Sequence, residues 1–304
     1  MTGCAAKSGW LGILMRAFAA LPLPMAHAAG ALLGRLAGLF PNRNRDVTRR
    51  NLELCLPDLS PRERRRLEHR SLIETGKTLA EAPQTWCGDP EKILSRVRGT
   101  SGESAVRQAL SEGRGVIIAG PHLGAWEIIG LYLGAHYPIT SLYRPPDSPA
   151  LEELMTTGRE RTGARLVPTD AKGVRALLKR VSKGEMVGIL PDQDPGYEAG
   201  VFAPFFGIPA LTMTLVPKLA ARSHALVVIG FAERLPEGSY HIHFVPVGDA
   251  IYDPDPALSA TALNHAVEQA VQRCPEQYQW SYKRFRRRPE GEPRLYDRRT
   301  PSHH

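Results

Sequence analysis

From residue 115 onward, short apolar runs alternate with segments in which apolar residues recur at helical spacing. The apolar runs predict strands at 115–119, 138–143, 164–167, 186–191, 225–231 and 240–247. The helical spacing predicts helices at 124–135, 149–162, 171–182, 211–222 and 259–273. Strand and helix taking turns in this way predicts an α/β fold, in which helices cover both faces of a mostly parallel, mixed sheet.

A long helix is predicted ahead of this alternating region. Ser60 is a good N-cap, Pro61 suits the first turn, and Glu63 stands three residues after the cap. We expect this helix to run to about Thr85. A further helix is predicted to start at Asp89–Pro90.

The N-terminal stretch from Trp10 to Phe40 is rich in Leu, Ala and Gly, so a membrane span, a signal peptide and an interfacial hairpin are all candidates. Four residues interrupt it: Arg16, Pro22, Pro24 and Arg35. No uninterrupted run therefore reaches the roughly 20 residues of a simple span.

A signal peptide would be cleaved at a small-x-small site such as Ala26–His27–Ala28, but apolar sequence continues beyond it. We favour two short apolar helices around Leu21–Pro24 that lie in one leaflet. The chain then divides into a membrane-associating helical segment, 1–45, and an α/β domain, 46–304, with a basic C-terminal tail.

The chain is long enough for one sizeable core, with 304 residues of which 42% are apolar, and its formal net charge is +8. Arginines at 43, 45, 49 and 50 directly follow the apolar stretch and could hold the body against anionic lipid on the cytoplasmic side. The second basic run lies between Ser281 and Thr300. It comprises Lys283, Arg284, Arg286, Arg287, Arg288, Arg294, Arg298 and Arg299.

Basic runs of this kind suit anionic partners, namely phospholipid headgroups, an acidic carrier protein, a phosphorylated substrate or nucleic acid. Nucleic acid is the weakest of these, because no helix-turn-helix, zinc-finger or aromatic RNA-binding signature accompanies the charge. The four cysteines are scattered without CxxC spacing, which favours thiols over disulfides.

The candidate chemistry centres on His122 and Glu127, at the predicted junction of a strand and a helix. Inside one regular helix, side chains five positions apart point about 140° away from each other. His122 must therefore sit on the turn before the helix, a turn that Gly124 would permit, with Glu127 reaching back to the imidazole. A carboxylate on one ring nitrogen would free the other to take a proton from a hydroxyl. The plain structural alternative is a helix-capping His and a Glu that favours the helix dipole.

Arginines follow the next predicted strand. Arg144 lies directly after it, and Arg159 and Arg161 lie on the following helix. Because the guanidinium group suits phosphate and carboxylate oxygens, these arginines are candidates for binding an anionic substrate. A solvated helix face is the alternative for Arg159 and, above all, for Arg161.

The loop Pro191–Gly196 contributes Asp192 and Asp194 after the fourth predicted strand. These carboxylates could bind substrate, position a basic group, hold a metal with His122, or cap a turn. A metal is disfavoured, since no second histidine or HExxH spacing is present. Phenylalanines 202, 205 and 206 then predict either a core plug or an apolar wall for an acyl chain. Neither a GxSxG elbow nor a nucleotide-binding glycine motif occurs, which argues against a serine acyl-enzyme and against nucleotide cofactors.

Together these residues resemble the lysophospholipid acyltransferase superfamily, and within it the lipid A biosynthesis (late) acyltransferases of Gram-negative bacteria. The superfamily motif H-x4-(D/E) corresponds to His122-LGAW-Glu127. Longer segments make the resemblance specific, from about residue 10 to 293: RRNL at 49–52 with CLP at 55–57, the DQD loop at 192–194, GVFAPFFG at 200–207, and PEQYQW at 275–280 with the basic segment after it.

The resemblance implies transfer of a fatty acyl group from acyl carrier protein to a hydroxyl of a lipid A precursor, beside the phospholipids of the bacterial inner membrane and at its cytoplasmic face. It implies that His122 is the base and Glu127 its partner, with Arg159 in the donor or acceptor site. It implies no metal and no organic cofactor. Three alternatives stay open: a related acyltransferase that uses acyl-CoA or a lysophospholipid acceptor, a membrane-bound lipid-binding protein without turnover, and, remotely, a metal-dependent hydrolase.

Overall fold

A computed structural model describes residues 9–296 of the chain. Its helices are α1 (Gly9–Ala19), α2 (Leu23–Leu39), α3 (Arg43–Cys55), α4 (Pro61–Cys87), α5 (Pro90–Leu94), α6 (Glu103–Ser111), α7 (Trp126–His136), α8 (Pro149–Glu160), α9 (Ala171–Val181), α10 (Leu215–Ser223) and α11 (Pro256–Arg273). Its strands are β1 (Val97–Ser101), β2 (Val116–Ala119), β3 (Ile139–Tyr143), β4 (Arg165–Pro168), β5 (Met186–Ile189), β6 (Gly200–Phe205), β7 (Ile208–Met213), β8 (Leu226–Arg234) and β9 (Tyr240–Pro246).

Seven strands form one sheet in the order β1-β9-β8-β2-β5-β3-β4. Every neighbouring pair is parallel except β8 and β9, which are antiparallel. The prediction of an α/β fold around a mostly parallel, mixed sheet is therefore confirmed.

Strand β2 shows why its sequence is apolar at every position. Ile117 and Ala119 belong to one buried cluster, whereas Val116 and Ile118 belong to another. Helices α9, α10 and α11 contribute to the first cluster, and α6 and α7 contribute to the second. A strand buried on both faces has no polar side, so its apolar run is continuous rather than alternating.

One predicted helix, 211–222, starts too early. Residues up to Met213 instead form β7, which pairs with β6 in a separate antiparallel hairpin, and α10 begins at Leu215. The two-residue turn between these strands is Phe206–Gly207, with φ of +49° and +75°. Such a turn requires positive φ at both positions, which matches the twist of a hairpin. Phe205 is 1% exposed and packs in the core, as the core alternative for the phenylalanines predicts.

Helix α4 begins as predicted, with a complete capping box between Ser60 and Glu63, and ends at Cys87. Asp89 then caps α5 through the backbone N–H of Glu91. The predicted domain boundary at residue 45 falls inside α3. Cys55 and Cys274 are buried thiols, in line with the prediction.

Most of the basic C-terminal segment is part of the folded body. Arg284 is 4% exposed and donates to the backbone oxygen of Leu211 at 2.6 Å, and Arg288 donates to that of Pro209 at 2.7 Å. These two arginines of the predicted basic C-terminal tail therefore pack against the body, where the hairpin β6–β7 supplies the acceptors that their guanidinium groups require. Arg298 and Arg299 lie outside the described residues.

Helices α1 and α2 meet at the break predicted around Leu21–Pro24. Within the described range no single helix is long and apolar enough to span a membrane. Only together do Gly12–Ala19 and Leu23–Leu39 have the necessary length and apolar composition, and the two are bent by 114° relative to each other. The outward side of α2 carries exposed apolar side chains: Met25, Leu32, Leu33, Leu36 and Leu39.

The inward side of α2 packs closely on α4 through glycines. A Cβ atom on Gly30 would lie 2.4 Å from the backbone oxygen of Gly76, and one on Gly34 would lie 2.3 Å from that of Leu72. Neither distance is compatible with a side chain, so the two helix backbones are in direct contact. This contact fixes which side of α2 faces outward.

A buried polar network also joins α2 and α4 to the sheet. Glu81 of α4 binds His27 at 2.6 Å, accepts two hydrogen bonds from Arg234 at 2.7 and 2.8 Å, and accepts one from the Tyr240 hydroxyl. Burial acts to raise the pKa of Glu81, but the charge and hydrogen bonds of Arg234 and the contact with His27 outweigh it and lower the pKa to about 2. Glu81 is therefore ionised at neutral pH, and its charge is matched inside the protein.

We predict that Gly34→Ala destabilises the protein while Gly38→Ala does not. The new methyl group at residue 34 would meet backbone, and overpacking of this kind costs about 1–3 kcal/mol. At residue 38 the nearest atom is a side-chain nitrogen of His69, 3.4 Å away, and alanine favours the helix. Thermal unfolding of the two variants measures the difference, and equal melting temperatures would contradict the close packing.

Candidate active site

The candidate site lies where the neighbouring strands β2 and β5 end. The two strands are parallel, with Ala119 opposite Ile189. His122 and Asp192 each follow three residues later, so the strand register brings the two side chains together. This is the carboxyl edge of the sheet, where ligands of such folds bind.

The corner that presents His122 is fixed by backbone contacts. Gly124 has a φ of +63°, and a Cβ atom there would lie 2.1 Å from the backbone oxygen of Ala232. The prediction that this glycine makes the turn is confirmed. The carbonyl oxygen of His122 accepts a hydrogen bond from the backbone N–H of Gln279 at 3.0 Å, which ties the corner to the C-terminal segment.

The His122 ring lies between two residues of the DQD loop. Its Nδ1 is 2.8 Å from Oδ1 of Asp192, and its backbone N–H donates to Oδ2 of the same carboxylate at 2.9 Å. On the other side, Nε2 is 3.2 Å from the side-chain nitrogen of Gln193. The His122 side chain is 13% exposed, so a small part of it stays accessible to solvent.

Glu127 lies in the first turn of α7 but does not make the expected hydrogen bond to the ring. Its carboxylate instead accepts from Arg159, with Nε at 2.8 Å from Oε2, and from the indole N–H of Trp86 at 3.1 Å. The expectation of that hydrogen bond is wrong because Arg159 of α8 and Trp86 of α4 donate to both oxygens of this carboxylate. The catalytic role of Glu127 stays a prediction.

Both carboxylates of the site are ionised at neutral pH. Burial acts to raise the pKa of Glu127, but the charge and hydrogen bonds of Arg159 outweigh it, so the pKa lies below its usual value. Burial likewise opposes ionisation of Asp192, but attraction and hydrogen bonds from His122 outweigh it and lower its pKa. Two negative charges therefore lie close to a ring that becomes positive when it takes a proton.

The two other predicted substrate-binding arginines have different surroundings. Arg144 is exposed on the loop after β3. Arg161 donates to the backbone oxygens of Gln84, Thr85 and Gly88, and so binds the carboxyl end of α4.

Asp194 binds the basic C-terminal segment rather than facing His122. Its carboxylate accepts from Nε of Arg286 at 2.6 Å and from Nε of Arg287 at 3.1 Å, and it also caps the backbone N–H of Gly196. Among residues 9–296 no group of three or more His, Cys, Asp or Glu side chains is arranged to hold a metal ion.

A groove of about 170 Å³ adjoins Glu127 and is mostly apolar. It lies between α4, the start of α7 and the C-terminal segment, and is lined by Thr75, Thr78, Leu79, Ala82, Trp86, Trp126, Glu127, Gln277, Tyr278 and Gln279. A more open depression of about 400 Å³ lies between β3 and α8, but Glu152, Glu153 and Glu160 line it. The apolar groove is the one that reaches the candidate chemistry.

Three residues at the site had no role assigned from the sequence. Gln193 and Gln279 lie in two of the segments that carry the family resemblance. In the structure, Gln193 contacts the His122 ring, and Gln279 accepts a hydrogen bond from the Gln193 side chain. Trp86 carries no sequence signal, because it lies on α4, 41 residues before Glu127, and belongs to no motif.

The sequence model of the family described as bacterial lipid A biosynthesis acyltransferase matches residues 5–287. The chain is 33% identical to the lipid A biosynthesis lauroyltransferase and 29% identical to the lipid A biosynthesis palmitoleoyltransferase, both of Escherichia coli, over 94% of each chain. It is 28% identical to the lipid A biosynthesis myristoyltransferase of the same organism, over 95% of this chain and 90% of that one.

We predict that Glu127→Gln lowers the free energy of unfolding near neutral pH, because Arg159 loses an ionised partner. Glutamine has the shape of protonated glutamic acid. Since the folded-state pKa of Glu127 is depressed, the difference from wild type should be fully present above pH 4.5, its ordinary pKa, and shrink as the pH falls through the folded-state value.

Chemical denaturation at a series of pH values tests this linkage. Glu153→Gln is the matched control, since Glu153 is an exposed carboxylate on α8; we expect little change at any pH. A difference for Glu127→Gln that does not vary with pH would show that the ion pair with Arg159 does not stabilise the fold.

Proposed function

Because the chain belongs to the family of bacterial lipid A biosynthesis acyltransferases, and is therefore an acyltransferase that acts on a lipid A precursor, we propose that acyl carrier protein is its acyl donor and that His122 is its general base. The observation that carries the proposal is the His122 ring, which is held at a strand-to-helix corner with Nδ1 on Asp192 and Nε2 beside the side-chain amide of Gln193. The bacterial inner membrane, at its cytoplasmic face, is the proposed location.

The reaction is a single displacement. Nε2 of His122 takes the proton of the acceptor hydroxyl as its oxygen attacks the thioester carbonyl. The tetrahedral intermediate then collapses, the C–S bond breaks, and the imidazolium returns the proton to the thiolate of the carrier. A thioester is already activated, so removing the alcohol's proton and holding both reactants in place are the main requirements.

Glu127 and Arg159 act as a pair in this proposal. The Glu127 charge lowers the energy of the imidazolium, since His122 and Glu127 attract each other electrostatically. Glu127 also holds the guanidinium of Arg159 at the site, where it can meet an anionic group of donor or acceptor. Exposed Arg144 adds a second cation for the acceptor's phosphate. Arg161 and Asp194 support the site indirectly, through the end of α4 and the C-terminal segment.

The apolar groove beside Glu127 is the proposed place of the acyl chain. Its walls come from Trp86, Trp126, Leu79 and Ala82, which favour a hydrocarbon chain. Glu127 and Gln279 also line it, and both flank His122. A chain in this groove would bring its thioester carbonyl to the ring.

The outward side of α2 is the proposed membrane-facing surface. Five apolar side chains are exposed on it, and Arg49 is exposed just beyond. Apolar side chains with basic residues beside them are typical of helices that lie in the interface of anionic membranes. Inner-membrane phospholipids are thus a proposed partner, and the net positive charge of the chain suits an acidic carrier protein.

We predict that His122→Ala lowers the rate of acyl transfer from an acyl carrier protein thioester by about 10² to 10⁴, the usual contribution of a general base. Glu127→Ala should lower it as well, because Arg159 is released and the imidazolium loses a nearby charge. His136→Ala is the matched control: it lies at the other end of α7 and is exposed.

Product formation with acyl carrier protein and acyl-CoA donors, and with lipid A precursor and lysophospholipid acceptors, measures both the residues and the substrates. Normal turnover in both variants would refute the proposed chemistry. Faster reaction with acyl-CoA or a lysophospholipid would replace the proposed donor or acceptor. Lipid binding without any product would identify a lipid-binding protein.

We predict that replacing Leu33 and Leu36 by lysine weakens binding to anionic phospholipid vesicles. Burying one leucine side chain contributes about 1.5–3 kcal/mol, so each substitution should weaken binding about tenfold or more. Leu258→Lys is the matched control. The exposed fraction of Leu258, 54%, is similar to the 65% of Leu33, but Leu258 lies on α11, away from the outward side of α2. Equal binding of both proteins in vesicle flotation would place the membrane surface elsewhere. Point substitutions are preferred to deleting α2, because its removal would uncover α4.

A further inference from the structure

We propose that Asp192 is the positioning residue that selects the reactive tautomer of His122, and that Glu127 does not perform this task. The inference rests on the proposed function of His122 as the general base. It assigns the carboxylate partner of the ring to the DQD loop after β5, outside the H-x4-E motif.

The contact between Asp192 and His122 is bidentate. One carboxylate oxygen accepts the backbone N–H of His122 and the other contacts its ring, at 2.9 and 2.8 Å. Both the backbone corner and the ring orientation are thereby fixed by one side chain. Asp192 is itself only 4% exposed, so the surrounding protein restricts its orientation in turn.

The chemistry of the contact determines where the ring proton lies. An ionised carboxylate can only accept hydrogen bonds, so Nδ1 must carry the proton. Nε2 then has its lone pair free. The side-chain amide of Gln193, 3.2 Å away, donates to this lone pair, and Gln279 provides a second acceptor for the same amide. Gln193 thus occupies the place where the acceptor hydroxyl must arrive.

Glu127 is engaged elsewhere. Arg159 and Trp86 donate to its two oxygens. The two carboxylates therefore have separate tasks, Asp192 orienting the ring and Glu127 holding the guanidinium of Arg159.

Asp192→Asn tests the assignment, because asparagine retains the shape and inverts one hydrogen bond. The amide oxygen is needed by the backbone N–H of His122, so the amide NH₂ faces Nδ1 and donates to it. The ring proton must then move to Nε2. Nitrogen-15 NMR of histidine-labelled full-length protein reports the tautomer directly, and His122→Asn identifies the His122 signals.

We expect wild type and Glu127→Gln to carry the proton on Nδ1, and Asp192→Asn to carry it on Nε2. In Asp192→Asn, kcat/KM should fall by about 10² to 10⁴, as for other bases locked in the wrong tautomer. Asp192→Glu retains an acceptor and should keep the Nδ1 proton with part of the activity. Glu233→Gln is the matched control: Glu233 binds His243 at 2.9 Å, so its replacement should alter only the His243 signals.

An Nε2 proton in wild type, an unchanged tautomer in Asp192→Asn, or a switch caused by Glu127→Gln would each overturn the assignment. If Asp192→Asn fails to fold, the wild-type and Asp192→Glu spectra decide by the same criterion. A tautomer switch together with normal turnover in His122→Ala would support the positioning by Asp192 while refuting His122 as the base.

Discussion

The parallel register between β2 and β5 determines the geometry of the candidate site more than any single motif does. Hydrogen bonding between these two buried strands sets Ala119 beside Ile189. After each strand, the backbone turns away from the sheet within three residues. The first turn carries the histidine and the second carries the DQD loop. A shift of this register would separate His122 from Asp192. Such a shift is opposed by packing, because both strands are apolar on both faces and contribute to two buried clusters. The packing of the whole sheet thus maintains one hydrogen-bonded pair.

Several carboxylates around this framework are buried or nearly so, and each has a cationic or hydrogen-bonding partner. Glu81 is matched by Arg234, Glu127 by Arg159, and Asp194 by Arg286 and Arg287. Each pair joins elements that are distant in the sequence. An unpaired charge in such surroundings would cost several kcal/mol, so these pairs restrict how the helices and the C-terminal segment can pack against the sheet. The same requirement directs Glu127 toward Arg159 and leaves the ring of His122 to Asp192.

The sequence predicted the parts of the fold that local patterns encode. Three such features depend only on neighbouring residues, and the structure has all of them. They are the continuous apolar runs of β2 and β5, the capping box at Ser60 and the turn at Gly124. The hairpin β6–β7 was missed because its Phe–Gly turn is an uncommon signal, and its second strand looks helical by composition. The partner of His122 was missed for a different reason. Spacing in the sequence favoured Glu127, whereas strand order, which single-sequence patterns do not encode, places a residue seventy positions away at the ring.

Helix α4 connects the two surfaces on which the proposed reaction depends. Leu72 and Gly76 lie against α2, whereas Thr75, Thr78 and Leu79 line the groove beside Glu127. These residues are interleaved along two turns, so the groove and the helix that carries the exposed leucines are separated by one helix only. Leu79 is itself 71% exposed, so the groove has an exposed apolar side chain at its rim. If the outward side of α2 lies in a leaflet, as we propose, an acyl chain could enter the groove without crossing water, and the energetic cost of exposing a hydrocarbon chain would be avoided.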